Sequence, residues 1–383
     1  MAYFDNVATS YPKPAEVYDF MDKFYRNYGG NAGRGNYELA GGAKKIIDET
    51  RNILREILHA PAKEIIFTAT ATLALNMIIQ GVILRGAKNI YVSPFEHNAV
   101  TRPLYHFEKI GKIKVSTLAV KNSLHYDLTR IKYQFEETPP DFVIVSHASN
   151  VIGLIAPVEK IFAAAKKYNA VTLVDMAQTA GLLDFNAGLD TVDFAVFAGH
   201  KTLLAPTGIA GFLMKPNFDL PPIIFGGTGY DSANLEMPEI LPQKYEAGTL
   251  NIAGIAGLNA ALKWIQAQTV KKLFQAEKNN RQKLLTLLQK YNFINVIGNN
   301  KNLEYVGIVS CVFEGISSEV AGNIFAERNI AVRAGLQCAP NAHKFLGTYP
   351  AGTVRFSVNI FNNEADFQEL KIALDDLKKI YEG

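Results

Sequence analysis

Six short apolar runs punctuate the chain: Ile65–Thr68, Asn89–Val92, Phe142–Ser146, Thr172–Asp175, Phe194–Phe197 and Ile209–Met214. Helix-length segments lie between most of them, such as Val158–Tyr168, whose Ile161, Ala164 and Ala165 share a face. Strands that are apolar on both sides and separated by helices predict a mostly parallel sheet covered on both faces. This part of the chain reads as α/β.

The texture changes near Gly254. Ile255, Leu258, Leu262 and Ile265 recur at helical spacing, and Leu273–Tyr291 continues as an amphipathic helix. Val306–Phe313, Ile330–Arg333 and Thr353–Val358 read as strands, and Phe367, Leu370, Leu374, Leu377 and Tyr381 mark a last helix. At 383 residues the chain exceeds one ordinary core. The expectation is an N-terminal arm and large domain over 1–253, and a smaller α+β domain over 254–383. The first residues are allowed to pack with the smaller unit. The Gly- and Pro-rich stretch Pro216–Gly229 is expected to cross a surface or subunit interface.

Charge excludes some functions. With 39 basic and 36 acidic residues the net charge is +3, which does not suit a dedicated nucleic-acid or membrane-surface protein. No apolar stretch approaches the roughly 20 residues that span a bilayer. The opening MAYFDNVATS lacks a basic stretch followed by an apolar run, so no secretory signal is expected. The two cysteines, Cys311 and Cys338, form no CxxC pair. That argues against a disulfide or metal framework and fits a reducing cytoplasm.

Ligands of parallel sheets sit beyond the carboxyl ends of the strands, and polar groups gather there. Asp175 closes the run TLVD, where a carboxylate can pair with a protonated ring nitrogen or simply cap a helix. Lys201 ends AGHK after DFAVF, poised for a Schiff base with an aldehyde, although most lysines are solvated surface groups. After IIFT, the small and hydroxyl residues of ATATLALN open an apolar helix near Thr72. Its first N–H groups favour an anion, or only a capped buried helix. His97 in SPFEHNAV could stack on a cofactor or move protons; a structural histidine is the plainer alternative. Cys338 lies in the loop AVRAGLQCAPNAHK near Arg333 and Arg355, a setting for a nucleophilic thiol. Arg355 on TVRFS could grip a carboxylate through two N–H···O contacts. Cys311, inside VSCVF, reads as a core residue.

These stretches resemble the cysteine desulfurases of the class V, fold-type I pyridoxal phosphate aminotransferase superfamily, in the branch of the SUF-type desulfurases and selenocysteine lyases. The matching segments run in family order: FDNVAT, YGGNAGRGNYEL, FTATATLALN, FEHNAV, SHASNVIG, VDMAQTAG, FAGHK, PTGIAGFL, YEAGTLN, AVRAGLQCAP and TVRFS. The resemblance implies pyridoxal 5′-phosphate bound as a Schiff base to Lys201, with Asp175 on the pyridine nitrogen. It implies Gln178 on the phenolic oxygen and His97 stacked on the ring. Ala71, Thr72 and His200 would hold the phosphate, and Thr249 would reach the phosphate of a neighbouring subunit, making a homodimer. Asn150, also at the cofactor, and Arg355 would orient the substrate carboxylate. Cys338 would take sulfur from L-cysteine as a persulfide, leave L-alanine and pass the sulfur to an acceptor protein for iron–sulfur cluster or thio-cofactor assembly. A selenocysteine lyase, another class V aminotransferase or β-lyase, and a weakly catalytic scaffold partner are the alternatives. The chain departs from the family pattern at Ala198, where Ser or Thr is usual, and at Leu73, where an acidic residue is usual.

Overall fold

In a strand, successive side chains point to opposite faces. The computed structural model describes residues 1–30, 38–230 and 233–382. In it the run Phe142–Ser146 is buried from end to end. Phe142 and Ile144 enter one apolar core, and Val143 and Val145 enter another on the opposite face. Phe194 and Val196 divide from Ala195 and Phe197 in the same way. Both faces of these strands are therefore covered, as continuous apolar runs require.

The chain begins with β1 (Ala2–Tyr3), α1 (Ala15–Tyr28) and α2 (Glu38–Ile57). There follow β2 (Glu64–Thr68), α3 (Ala71–Leu84), β3 (Asn89–Val92), α4 (Asn98–Lys109), β4 (Lys114–Thr117) and α5 (Leu128–Glu137). Then come β5 (Phe142–Ser146), α6 (Val158–Lys166), β6 (Val171–Asp175), β7 (Phe194–Ala198) and β8 (Ala210–Met214). β2 to β8 form a seven-stranded sheet in the order β2-β8-β7-β6-β5-β3-β4. From β7 to β4 the pairing is parallel; β8 is antiparallel to both β7 and β2. β4 escapes the apolar pattern because its residues KVST are exposed or half-buried at the sheet edge.

α3 and α4 cover one face, and α2, α5 and α6 the other. α7 (Ile252–Gln268) buries Ile255, Leu258, Leu262 and Ile265 in that second core, against α1 and α2. The remaining elements are α8 (Val270–Leu288), β9 (Ile294–Ile297), β10 (Ile308–Phe313), α9 (Ser318–Glu327), β11 (Ile330–Ala331), β12 (Arg333–Gly335), α10 (Pro340–Phe345), β13 (Thr353–Ser357) and α11 (Glu364–Glu382). Four of them make an antiparallel sheet, β12-β13-β10-β9. The expected strand Ile330–Arg333 divides in two: β11 pairs with β1, and β12 pairs with β13. Through β1, Ala2 and Phe4 enter the core of this smaller sheet, where Phe4 meets Phe356 and Phe367 edge to face. Most of the YGGNAGRGNYEL segment, residues 31–37, lies outside the described residues. No helix among the described residues is long and apolar enough to cross a membrane.

Candidate active site

β5, β6 and β7 end side by side at Ser146, Asp175 and Ala198, and β2 ends on the same edge of the sheet. The loops beyond them enclose a cavity of about 280 Å³. Ala71, Thr72, His97, Asn150, Asp175, Gln178, His200 and Lys201 all line it. Sequence reasoning had proposed these eight from separate stretches, and the fold brings them to one place.

Lys201 follows a turn that only glycine fits at its bend. A Cβ on Gly199 would stand 2.5 Å from the Ile209 carbonyl oxygen. The N-terminal arm then ties the turn down: the His200 carbonyl accepts from Ser10 N–H at 3.1 Å and Lys13 Nζ at 3.2 Å, and the Lys201 carbonyl accepts from Ser10 Oγ at 2.8 Å. Burial draws the Lys201 amine below the usual lysine range, and the Asp175 carboxylate partly opposes this. A lowered lysine is a better nucleophile toward a carbonyl. Burial raises Asp175, while the Ala177 N–H, 2.9 Å from its Oδ1, and Lys201 pull it down.

His97 caps α4, its Nδ1 accepting from Ala99 N–H at 3.0 Å. A neutral ring that accepts at Nδ1 carries its proton on Nε2. Burial, and then the charges of Lys201, Arg355 and Arg102, push its pKa down to about 4. The ring is therefore neutral at pH 7, which suits stacking better than proton exchange near neutrality. Next to it, burial lifts Glu96 to about 7 against three hydrogen bonds from Ser93 and Ser146. The motif FEHN displayed Glu96, but only the fold shows that its carboxyl joins the β3 and β5 ends.

One wall suits an anion. Thr70 caps α3, its Oγ1 accepting from Leu73 N–H at 3.1 Å, so the helix starts at the cavity with Ala71 and Thr72. The buried Nδ1 of His200 has no hydrogen-bond partner among the described residues. Burial and then Lys201 hold this imidazole near 4. Ala198 brings no hydroxyl to the same wall.

Arg355 is almost wholly buried on β13. Its Nη2 pairs with Asp5 Oδ1 at 2.8 Å and its Nη1 donates to the Asn150 carbonyl at 2.9 Å. Its Nε and the Asn150 Oδ1 are buried without partners among the described residues. Such orphaned groups cost free energy until a ligand meets them. Gln178 lines the cavity and donates from Nε2 to the Val7 carbonyl at 3.3 Å.

Cys338 is exposed and lines a second hollow of about 560 Å³, which shares Thr72, His97 and Ala99 with the first. Arg102 and His106 stand on the same hollow, while Arg333 is exposed on β12. Gln337 (φ 41°) and Cys338 (φ 56°) both lie in the left-handed region, at about 1–2 kcal/mol each for residues with a Cβ. Cys311 is fully buried, and burial pushes its thiol up and keeps it protonated. Thr249 stands apart: it is exposed beside a separate hollow shared with Arg51 and Glu246. Asp5, paired with Arg355, and Glu96, bonded to Ser93 and Ser146, are contributors that sequence reasoning did not single out.

These residues fit pyridoxal phosphate by their donor set. The cavity offers an amine for the aldehyde, a carboxylate for the ring nitrogen, a flat neutral imidazole for the ring face, and a helix start beside the His200 imidazole for the phosphate.

Comparison with known proteins agrees. The profile of the family described as Aminotransferase class-V matches residues 2–370. A probable cysteine desulfurase of Pyrococcus abyssi is 30% identical over 98% of this chain and 94% of its own length. One from Methanothermobacter thermautotrophicus is also 30% identical, over 98% of this chain and 94% of its own. The apo structure of a cysteine desulfurase from Thermococcus onnurineus superposes with a TM-score of 0.89 at 29% identity, covering 98% of this chain and 94% of that one.

Proposed function

We infer that this chain, which belongs to the aminotransferase class-V family, is a pyridoxal phosphate enzyme that takes sulfur from L-cysteine. The observation that carries the reading is a cavity lined by Lys201, Asp175 and His97, with the exposed Cys338 on a second hollow that shares Thr72 and His97 with it. Bound pyridoxal phosphate supplies an electron sink for charge developing at the substrate's Cα and Cβ.

The chain's own groups do the rest. Ala71, Thr72 and His200 hold the phosphate, Gln178 the phenolic oxygen and His97 the ring face. Asp175 holds the proton on the ring nitrogen. Arg355, through its Nε, and Asn150 orient the substrate carboxylate. Lys201 Nζ takes the proton from Cα and returns one as product forms. The Cys338 thiolate attacks the substrate sulfur, so an S–S bond forms as the Cβ–S bond breaks. The bonding pair passes to Cβ, which is then protonated. L-cysteine and the thiol become L-alanine and a persulfide: the transferred sulfur is oxidised, Cβ is reduced, and no outside oxidant is needed.

The same reading includes a homodimer in which Thr249 of one copy completes the phosphate site of the other, and a sulfur-acceptor protein serving iron–sulfur or thio-cofactor assembly. An exposed catalytic thiol also favours a reducing cytoplasm.

The test measures alanine and sulfide from L-cysteine with a thiol reductant, using cofactor-loaded protein. Wild type should yield both, and Cys338→Ala should lose at least 100-fold. A Cys338→Ala variant with full activity would instead make the protein a lyase or transaminase indifferent to that thiol.

A further inference from the structure

The turn that presents Cys338 is closed by a hydrogen bond from Ala339 N–H to the Leu336 carbonyl at 2.8 Å. Its two central residues, Gln337 and Cys338, both have positive φ. That is the φ pattern of a type I′ turn, a geometry usually given to Asn and Gly. Nothing local favours it here, so the surroundings must hold it.

A buried web beneath the turn does so. Gln337 Oε1 accepts from His343 Nε2 at 2.7 Å and from Thr353 Oγ1 at 3.2 Å. Gln337 Nε2 donates to the Thr353 carbonyl at 2.9 Å and to the Arg333 carbonyl at 3.2 Å. Every hydrogen-bonding position of this amide is used. His343 is wholly buried, and its Nδ1 lies 2.7 Å from Thr348 Oγ1. A neutral imidazole that donates from Nε2 must accept at Nδ1, so Thr348 donates to it and fixes the tautomer. Burial pushes the His343 pKa down to about 4, which keeps the ring in that single-proton form at pH 7.

The main chain of the turn is held from the cavity side. The Gln337 carbonyl accepts from Asn150 Nδ2, and the Cys338 carbonyl accepts from Asn98 N–H, both at 2.7 Å. Asn98 follows His97, and Asn150 lines the cofactor cavity. The web below and these two bonds above fix the thiol's backbone to the cavity wall.

We propose that Gln337 and His343 are positioning residues that hold Cys338 Sγ in line with the substrate sulfur for S–S bond formation. This rests on the desulfurase reading, and the experiment separates the two. β-Chloroalanine is the second substrate: chloride leaves Cβ with its bonding pair, so elimination to pyruvate and ammonium needs the cofactor and Lys201 but no thiol. His343→Ala, Gln337→Gly and the conservative His343→Gln, which keeps a donor near the Nε2 position, are compared with wild type in the cofactor-loaded protein. Alkylation of Cys338 by iodoacetamide is followed alongside.

The expected result is at least a 10-fold loss of alanine formation from cysteine in His343→Ala and Gln337→Gly. Chloroalanine elimination should stay within about 2-fold, alkylation should be undiminished, and His343→Gln should recover part of the loss. Should His343→Ala fail to fold, Gln337→Gly decides, since glycine accepts the turn and removes only the web. Equal loss of both activities in folded, cofactor-bound Gln337→Gly, or loss of neither, overturns the positioning role. A wild type that eliminates chloride but makes no alanine from cysteine overturns the desulfurase reading, and the proposal with it.

Discussion

Asp5 shows how much one residue can carry in this site. Arg355 is too buried to be hydrated, and Asp5 is its only carboxylate partner among the described residues. Removing one member of a buried pair leaves the other charge uncompensated, at about 3–5 kcal/mol. Asp5→Ala should lower stability at pH 7 by that order in urea denaturation. It should also raise KM for L-cysteine at least 10-fold, because the guanidinium loses the contact that aims it. A KM equal to wild type would show that Asn150 alone orients Arg355. The same residue was invisible in the sequence, where FDNVAT reads only as part of a family pattern. Its partner lies 350 positions away.

Helix α3 joins local sequence to cofactor chemistry at the scale of an element. Thr70, in an extended conformation, accepts from Leu73 N–H and begins the helix at the cavity. Thr70→Ala should cost about 1 kcal/mol in stability and weaken pyridoxal phosphate binding several-fold. Thermal unfolding of the cofactor-free protein and a titration followed by absorbance check the two effects separately. Thr70→Asn, another good cap, should keep both near wild type. If Thr70→Ala binds the cofactor as tightly as wild type, the start of α3 does not hold the phosphate.

At the scale of the whole molecule, buried titratable groups set the response to pH. His97, His147, His200 and His343 are each held near 4, chiefly by burial. Between about 6.5 and 4 the unfolded chain binds these four protons and the folded chain does not, so stability falls on acidification. Glu96 and Glu277 act in the opposite sense. Burial raises each to about 7, so their contribution is present below about 4.5 and is lost as pH rises through 7. Burial also raises Asp175 and Glu246, so four carboxyls oppose the four imidazoles. Taking one imidazole away with His147→Phe should therefore make the urea midpoint of the cofactor-free protein fall less, or rise more, between pH 6.5 and 5 than in wild type, because the unfolded chain then binds one proton fewer. The same pH dependence in both proteins would refute this assignment.

Much of this was legible along the chain, because strands buried on both faces must be apolar at every position. The runs at 142–146, 172–175 and 194–197 marked β5, β6 and β7 within a residue or so, and their polar ends, Asp175 and Lys201, marked the site. The edge strand β4 and the split between β11 and β12 were not legible, since exposed or two-residue strands bury too little to leave a pattern. Periodicity also showed α7 as a helix, yet not that its apolar face meets α1 and α2. The sequence by itself determined the α/β sheet, the lysine and carboxylate at its edge and the thiol in its loop, since each depends on residue type and local spacing. Tertiary structure alone decided that Asp5 meets Arg355 and that Gln337 and His343 brace Cys338. A hydrogen bond acts only over about 3 Å, and pairings of that kind between distant segments leave no trace in linear order.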